Sequence, residues 1–181
     1  MSLEEVLSRV LTLEAEAVQS AFSKTKNELS EAVRLIFASQ GPLIVSGVGK
    51  SGHIARKIAS TFRSLGKRAA FLHASEASHD DLGIIHEDSV VLVLSNSGET
   101  TELSDLLAYS KEYSIPLISI TASKLSMLGK SSQVAIEYGK VVEACVNGLA
   151  PTTSTTLALA LALGHALAVG VSHLSDITPL V

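Results

Sequence analysis

Three short segments combine glycine with hydroxyl residues in a pattern that could hold an anion. They are Gly47-Val-Gly-Lys-Ser-Gly52, Ser95-Asn-Ser-Gly-Glu-Thr100 and Gly148-Leu-Ala-Pro-Thr-Thr-Ser-Thr-Thr156. Each stands where a helix is expected to open. A helix start carries free N–H groups and the positive end of the helix dipole, which together attract anions. Ser and Thr add further donors, and Gly98 lets the backbone approach a ligand closely. Segments of this kind meeting at one crevice point to a phosphate monoester.

Two plainer readings compete. Asn96 with Glu99 three residues on resembles a capping box. That would account for those two residues, but not for the further hydroxyls and the glycine after an apolar strand. The first segment matches G-x-G-x-x-G, the fingerprint of a dinucleotide loop. Such a fold wants an acid at the end of its second strand, where this chain has His73, with Glu76 three residues beyond. Lys50 inside the loop is foreign to a pyrophosphate cradle, and Gly-Lys-Ser lacks the upstream glycine spacing of a Walker A loop. A monoester fits better than a nicotinamide dinucleotide.

Residues this specific need a rigid frame, and the apolar pattern supplies one. Helical spacing over residues 3–24 (Leu3, Val6, Leu7, Val10, Leu13, Ala17) and from Asn27 to Ser39 (Leu29, Val33, Ile36, Phe37) predicts two N-terminal helices. Strands and helices then alternate. Strands are expected at 42–46, 68–73, 89–94, 115–121 and 134–138. Helices are expected at 51–65, 101–113, 125–129 and from about Thr153. The third strand reads Val-Val-Leu-Val-Leu without polar alternation, as a strand buried on both faces should. This predicts an α/β fold, a three-layer αβα sandwich on a five-stranded parallel sheet, in one domain over 1–181. Residues 1–40 form the N-terminal helices and 41–181 the core. Ligands bind such sheets beyond the carboxyl ends of the strands.

Composition excludes several classes. The net charge is −4, with no basic run or aromatic–basic stripe, so no nucleic-acid partner is expected. Aromatics are 4% and Trp is absent, which leaves the core to Leu, Ile, Val and Ala. The lone Cys145 fits a reducing compartment, and no secretion signal is visible, so a cytoplasmic protein is expected. The apolar stretch Leu157–Val171 is shorter than a membrane span and carries His165, so it reads as a buried helix and no membrane partner is expected.

Four segments make the chain resemble a known family. They are Gly47-Val-Gly-Lys-Ser-Gly-His53, His73-Ala-Ser-Glu-Ala-Ser-His-Asp-Asp-Leu-Gly83, Ser95–Thr100, and Glu143-Ala-Cys with Gly148–Thr156. Over residues 40–170 they are similar to the SIS domain of arabinose-5-phosphate isomerases. The resemblance implies a flavodoxin-like fold and an aldose–ketose isomerase of the cytoplasm. The reaction interconverts D-arabinose 5-phosphate and D-ribulose 5-phosphate, feeding Kdo and lipopolysaccharide synthesis. It implies a homo-oligomer, usually a tetramer, with sites shared between subunits. It implies no required cofactor, with zinc only an inhibitory or adventitious ligand at His73. The sequence ends at Val181 without the family's Ser-His-Pro-Gly-Gly segment and paired CBS domains, and His165 and Val146 replace an expected Asp and Pro.

Carried over by motif, Gly49, Ser51, His73, Ser95, Asn96, Ser97 and Thr100 are expected to bind substrate. Lys50, Glu102, Glu143 and His79 are expected to be catalytic. The reaction moves a proton between C1 and C2 through a cis-enediol. It needs a base at those carbons, a donor for the developing oxyanion and an anchor for the distant phosphate. Glu102 is read as the base and Lys50 as the enediolate stabiliser. His79 is read as assisting ring opening or O1–O2 proton transfer, and Glu143 as holding Lys50 or a sugar hydroxyl. Other phosphosugar isomerases, of the 6-phospho-3-hexuloisomerase type, share the phosphate motif. A non-catalytic sugar-phosphate-binding module is the alternative outside enzymes.

Overall fold

The computed structural model describes residues 1–77, 81–144 and 154–175. Its five strands are β1 (Leu43–Gly47), β2 (Ala69–His73), β3 (Val90–Leu94), β4 (Leu117–Thr121) and β5 (Val134–Glu137). All pair in parallel in the order β2-β1-β3-β4-β5. The helices are α1 (Leu3–Ala38), α2 (Gly49–Ser64), α3 (Ala74–Ala77), α4 (Ser104–Glu112), α5 (Met127–Ser131) and α6 (Thr155–Leu174).

Alternate strand residues feed two separate cores, so β1, β3 and β4 are buried along their whole length and β3 reads as a continuous apolar run. Leu43, Val45, Leu92, Leu94, Ile118 and Ile120 meet α1, α2 and α6 on one face. Ile44, Val91, Val93 and Leu117 meet Leu103, Leu106, Leu107 and Leu128 on the other. Strand order turns at β1 and β3, so the loops after them run to opposite faces and leave a crevice between them.

Three expectations change. The two N-terminal helices are one continuous helix, α1. The polar Lys24-Thr25-Lys26 stretch does not break it, because Thr25 lies on the buried stripe and its hydroxyl donates back to Ala21 O at 2.8 Å. The helix expected over 101–113 opens as a 3-10 turn, Thr101–Leu103, before α4. The last helix is also longer than its most apolar stretch: at 20 residues, α6 is long and apolar enough to cross a membrane by length and composition. It is packed in the core instead, with Leu159, Leu163, Leu167 and Val171 buried against α1 and α2.

Candidate active site

Strand β1 ends at Gly47, and α2 starts two residues later. Its N-cap is Val48, whose side chain makes no capping bond. The first intrahelical bond runs from Gly52 N to Val48 O at 3.2 Å, so the N–H groups of Gly49, Lys50 and Ser51 lie ahead of it. Gly49 takes φ 56°, and nothing lies within 4 Å of where a Cβ would be, so the approach to this helix start is open.

Strand β3 ends at Leu94, and the next six residues fold back over the same end. Ser95 Oγ accepts from Gly98 N at 3.1 Å and lies 3.0 Å from Thr100 Oγ1, closing the loop on itself. Ser97 is exposed, and its hydroxyl accepts from Glu99 N at 3.2 Å. Gly98 has φ 66°, and a Cβ there would run into the Ser126 side chain. The capping-box expectation fails here. Glu99 Oε1 accepts from Met127 N at 3.0 Å and Gly98 O from Leu128 N at 2.9 Å, so this pair fills the start of α5. Asn96 Oδ1 accepts from Tyr138 Oη at 2.8 Å.

The two loops face one cleft of about 470 Å³, lined by Val48, Lys50, Ser51, Ser95, Asn96, Ser97 and Thr100. Six of the residues assigned to the site by motif therefore come together, and Gly49 lies on the same helix start. The motif gave no reason to single out Tyr138. An aromatic just past the last strand looks like core, and only its placement shows its hydroxyl reaching the β3 loop.

The remaining candidates lie elsewhere. Glu102 sits in the 3-10 turn beyond Thr100, exposed, and does not line the cleft; its Oε2 accepts from the Thr101 hydroxyl at 3.1 Å. His73 closes β2 and lines a separate hollow with Phe71, Asp81 and Gly83; its Nδ1 accepts from Ser75 N at 3.3 Å. Among the described residues no three His, Cys, Asp or Glu side chains come together. His79 and residues 148–153 of the third loop lie outside the described residues, as does Cys145.

Glu143 has a different geometry from the one expected. Its carboxylate accepts from the backbone N–H groups of Ser154, Thr155 and Thr156, each at 3.1 Å. The third helix start, expected to help hold the phosphate, is thus filled by a side chain of the protein itself. The same charge bears on Tyr138. Burial, and then the Glu143 carboxylate, push its phenol well above the usual range, so it stays a protonated donor.

Comparison with known proteins places the chain in a family. Residues 36–169 match the SIS domain family. The chain is 44% identical over 161 residues to the arabinose 5-phosphate isomerase KdsD of Pseudomonas aeruginosa, covering 89% of this chain and 49% of that protein. It is 41% identical over 169 residues to the Yersinia pestis KdsD, covering 93% of this chain and 51% of that one. The chain thus spans about half the length of the curated relatives it matches. A solved structure from E. coli CFT073, in complex with arabinose 5-phosphate, superposes with a TM-score of 0.90 at 36% identity, covering 98% of this chain and 95% of that one. By fold, motif and likeness to these proteins, the chain belongs to the SIS domain family.

Proposed function

We propose that this chain is an aldose–ketose isomerase interconverting D-arabinose 5-phosphate and D-ribulose 5-phosphate. The observation that carries the reading is the single cleft in which an uncapped helix start and the Ser95–Thr100 hydroxyl loop face each other. The likeness to the arabinose 5-phosphate complex and to the KdsD proteins supports the choice of sugar.

The phosphoryl group is held by the N–H groups of Gly49, Lys50 and Ser51 and by the hydroxyls of Ser51, Ser97 and Thr100. Ser95 keeps the loop closed around it. This anchor supplies binding energy that orients the reacting carbons. The Lys50 ammonium stabilises the enediolate oxygen as charge develops there. Glu102 takes the proton from C2 and returns it to C1. Because Glu102 is exposed beside the cleft, water is excluded from that proton transfer only when another surface covers it. His79 assists ring opening. Glu143 acts from its place on the α6 start, holding the N–H groups of Ser154, Thr155 and Thr156. Moving a proton beside a carbonyl is acid–base chemistry and needs no cofactor. Zinc that reaches His73 is an inhibitory or adventitious ligand.

The covering surface is a second copy of the chain. Leu3, Leu7, Leu11, Val18 and Phe22 recur every four or seven residues along α1, and each is exposed. Such a stripe packs helix against helix. Residues 1–181 work as a single SIS domain within a homo-oligomer, a tetramer, in the cytoplasm. Arabinose 5-phosphate formed in the reverse direction enters Kdo synthesis for lipopolysaccharide.

Incubation with arabinose 5-phosphate in deuterium oxide tests the reading. Turnover to ribulose 5-phosphate with deuterium entering at its C1, and at C2 of the recovered arabinose 5-phosphate, supports it. Binding without exchange makes the chain a sugar-phosphate-binding module instead. Loss of all exchange in Glu102→Gln, with binding kept, supports the base assignment, and full activity removes it.

A further inference from the structure

Among the residues lining the cleft, Asn96 is braced from the far edge of the sheet. Its backbone C=O accepts from Ala122 N at 3.1 Å and from the Thr121 hydroxyl at 3.4 Å, which fastens the β3 loop to the end of β4. Its side chain is reached from one strand further out. Tyr138, just past β5, donates its hydroxyl to Asn96 Oδ1 at 2.8 Å. Tyr138 is itself fixed: its N–H donates to Thr121 O at 3.1 Å, and it is 2% exposed within the core against α1, α2 and α6.

An amide side chain has one acceptor end and one donor end, and it turns about two side-chain bonds. A hydroxyl that donates to the oxygen end decides which way the amide faces. A loop side chain held this way has lost its rotamer freedom before a ligand arrives, which lowers the entropic cost of binding.

We propose that Tyr138 is a positioning residue of this site, setting the orientation in which the Asn96 amide meets the bound sugar phosphate. The proposal rests on the isomerase reading above and deepens it. Tyr138 makes no contact with substrate. It acts through Asn96, and the hydrogen bond is the whole of its effect on the site. Burial keeps the phenol protonated, so its contribution does not vary across the neutral pH range.

A double-mutant cycle with Tyr138→Phe and Asn96→Ala in the full chain tests this, using steady-state isomerisation of arabinose 5-phosphate. Phe keeps the ring and removes only the hydroxyl. The expected result is a KM raised about three- to tenfold in Tyr138→Phe, the worth of one hydrogen bond, with kcat changed less than twofold. In the Asn96→Ala background the same change should have no further effect on KM, because its target is gone. A merely structural role would lower the melting temperature but leave KM unchanged, or add equally in both backgrounds, and either outcome overturns the proposal. Should a variant be poorly folded by circular dichroism, the milder Asn96→Ser replaces Asn96→Ala, and equilibrium binding of arabinose 5-phosphate by calorimetry replaces turnover. If the wild-type chain neither turns over nor binds arabinose 5-phosphate, the isomerase reading fails and takes this one with it. If the wild type is active and Tyr138→Phe is kinetically identical to it, only the Tyr138 assignment falls.

Discussion

Of the helices that start at the carboxyl end of the sheet, α2, α5 and α6 are treated in two ways. The starts of α5 and α6 are filled by the protein's own groups. Glu99 Oε1 and Gly98 O take the N–H groups of Met127 and Leu128, and Glu143 takes those of Ser154, Thr155 and Thr156. The start of α2 has no side-chain cap, and it opens into the cleft beside Ser97 and Thr100. Free N–H donors cost stability where nothing satisfies them, so proteins usually cap them. The 3-10 turn and α4 also lack a side-chain cap, so what sets the α2 start apart is the cleft it shares with the Ser95–Thr100 hydroxyls, the setting that suits a negative charge. Of the three sequence patterns, Gly47–Gly52 and Ser95–Thr100 therefore meet at the cleft, while the start of α6 is held from within by Glu143.

The contrast can be broken by emptying a filled start. Glu143→Ala removes the acceptor for three backbone donors and should destabilise the fold by about 2 kcal/mol, read from urea unfolding midpoints. Glu143→Gln keeps a side-chain oxygen and should lose roughly half as much. A Glu143→Ala protein as stable as wild type would show that the cap contributes little. Gly98→Ala forces a side chain into left-handed backbone and against Ser126, and about 2 kcal/mol of destabilisation is expected, with loss of phosphate affinity. Unchanged stability would mean that the loop adapts.

The opposite change fills the open start. Ser51→Asp puts a carboxylate into the first turn of α2, favourable to the helix dipole by about 0.5 kcal/mol, while repelling a phosphate. Stability should hold or rise, and the KM for sugar phosphate should rise about tenfold or more, roughly 1.4 kcal/mol of lost binding. If KM stays unchanged, the start of α2 is not the anion site. Glu99→Ala, which frees only Met127 N at an exposed position, should cost about 0.5–1 kcal/mol and loosen the loop slightly.

The smallest effect expected lies away from both kinds of start. On α6, burial and then the Lys57 ammonium push the His165 imidazole below its ordinary value. As pH falls, the unfolded chain therefore takes up this proton first. His165 makes stability decline as pH drops through about 6.5 and below, and adds no slope above that. His165→Gln should flatten the acid side of the melting-temperature profile by a small margin and leave KM untouched.

The frame was legible because its signals are repetitive. Largely apolar strands, glycine-ended connections and alternation with helices pointed to the parallel sheet, and the Gly47–Gly52 and Ser95–Thr100 loops are the two that meet at the cleft. What was not legible depends on partners far apart in sequence. Nothing in Ser95–Thr100 says that Glu99 bonds forward to Met127 rather than back to Asn96. Only the placement of Gly98 against Ser126 brings those two starts together. Likewise, Glu143 and the start of α6 read as two site elements, whereas the Glu143 carboxylate accepts from the N–H groups of Ser154, Thr155 and Thr156. The single helix α1 was missed because a polar residue on a buried stripe looks like a break until its hydroxyl is seen to bond within the helix.

The account stands on where a phosphoryl group binds, and backbone amide resonances report that directly. Titrating isotope-labelled protein with arabinose 5-phosphate should move the amide signals of Gly49, Lys50 and Ser51 and of Ser97 to Thr100, and leave Thr155 and Thr156 in place. Shifts centred on Thr155 and Thr156, with residues 49–51 unmoved, would contradict it.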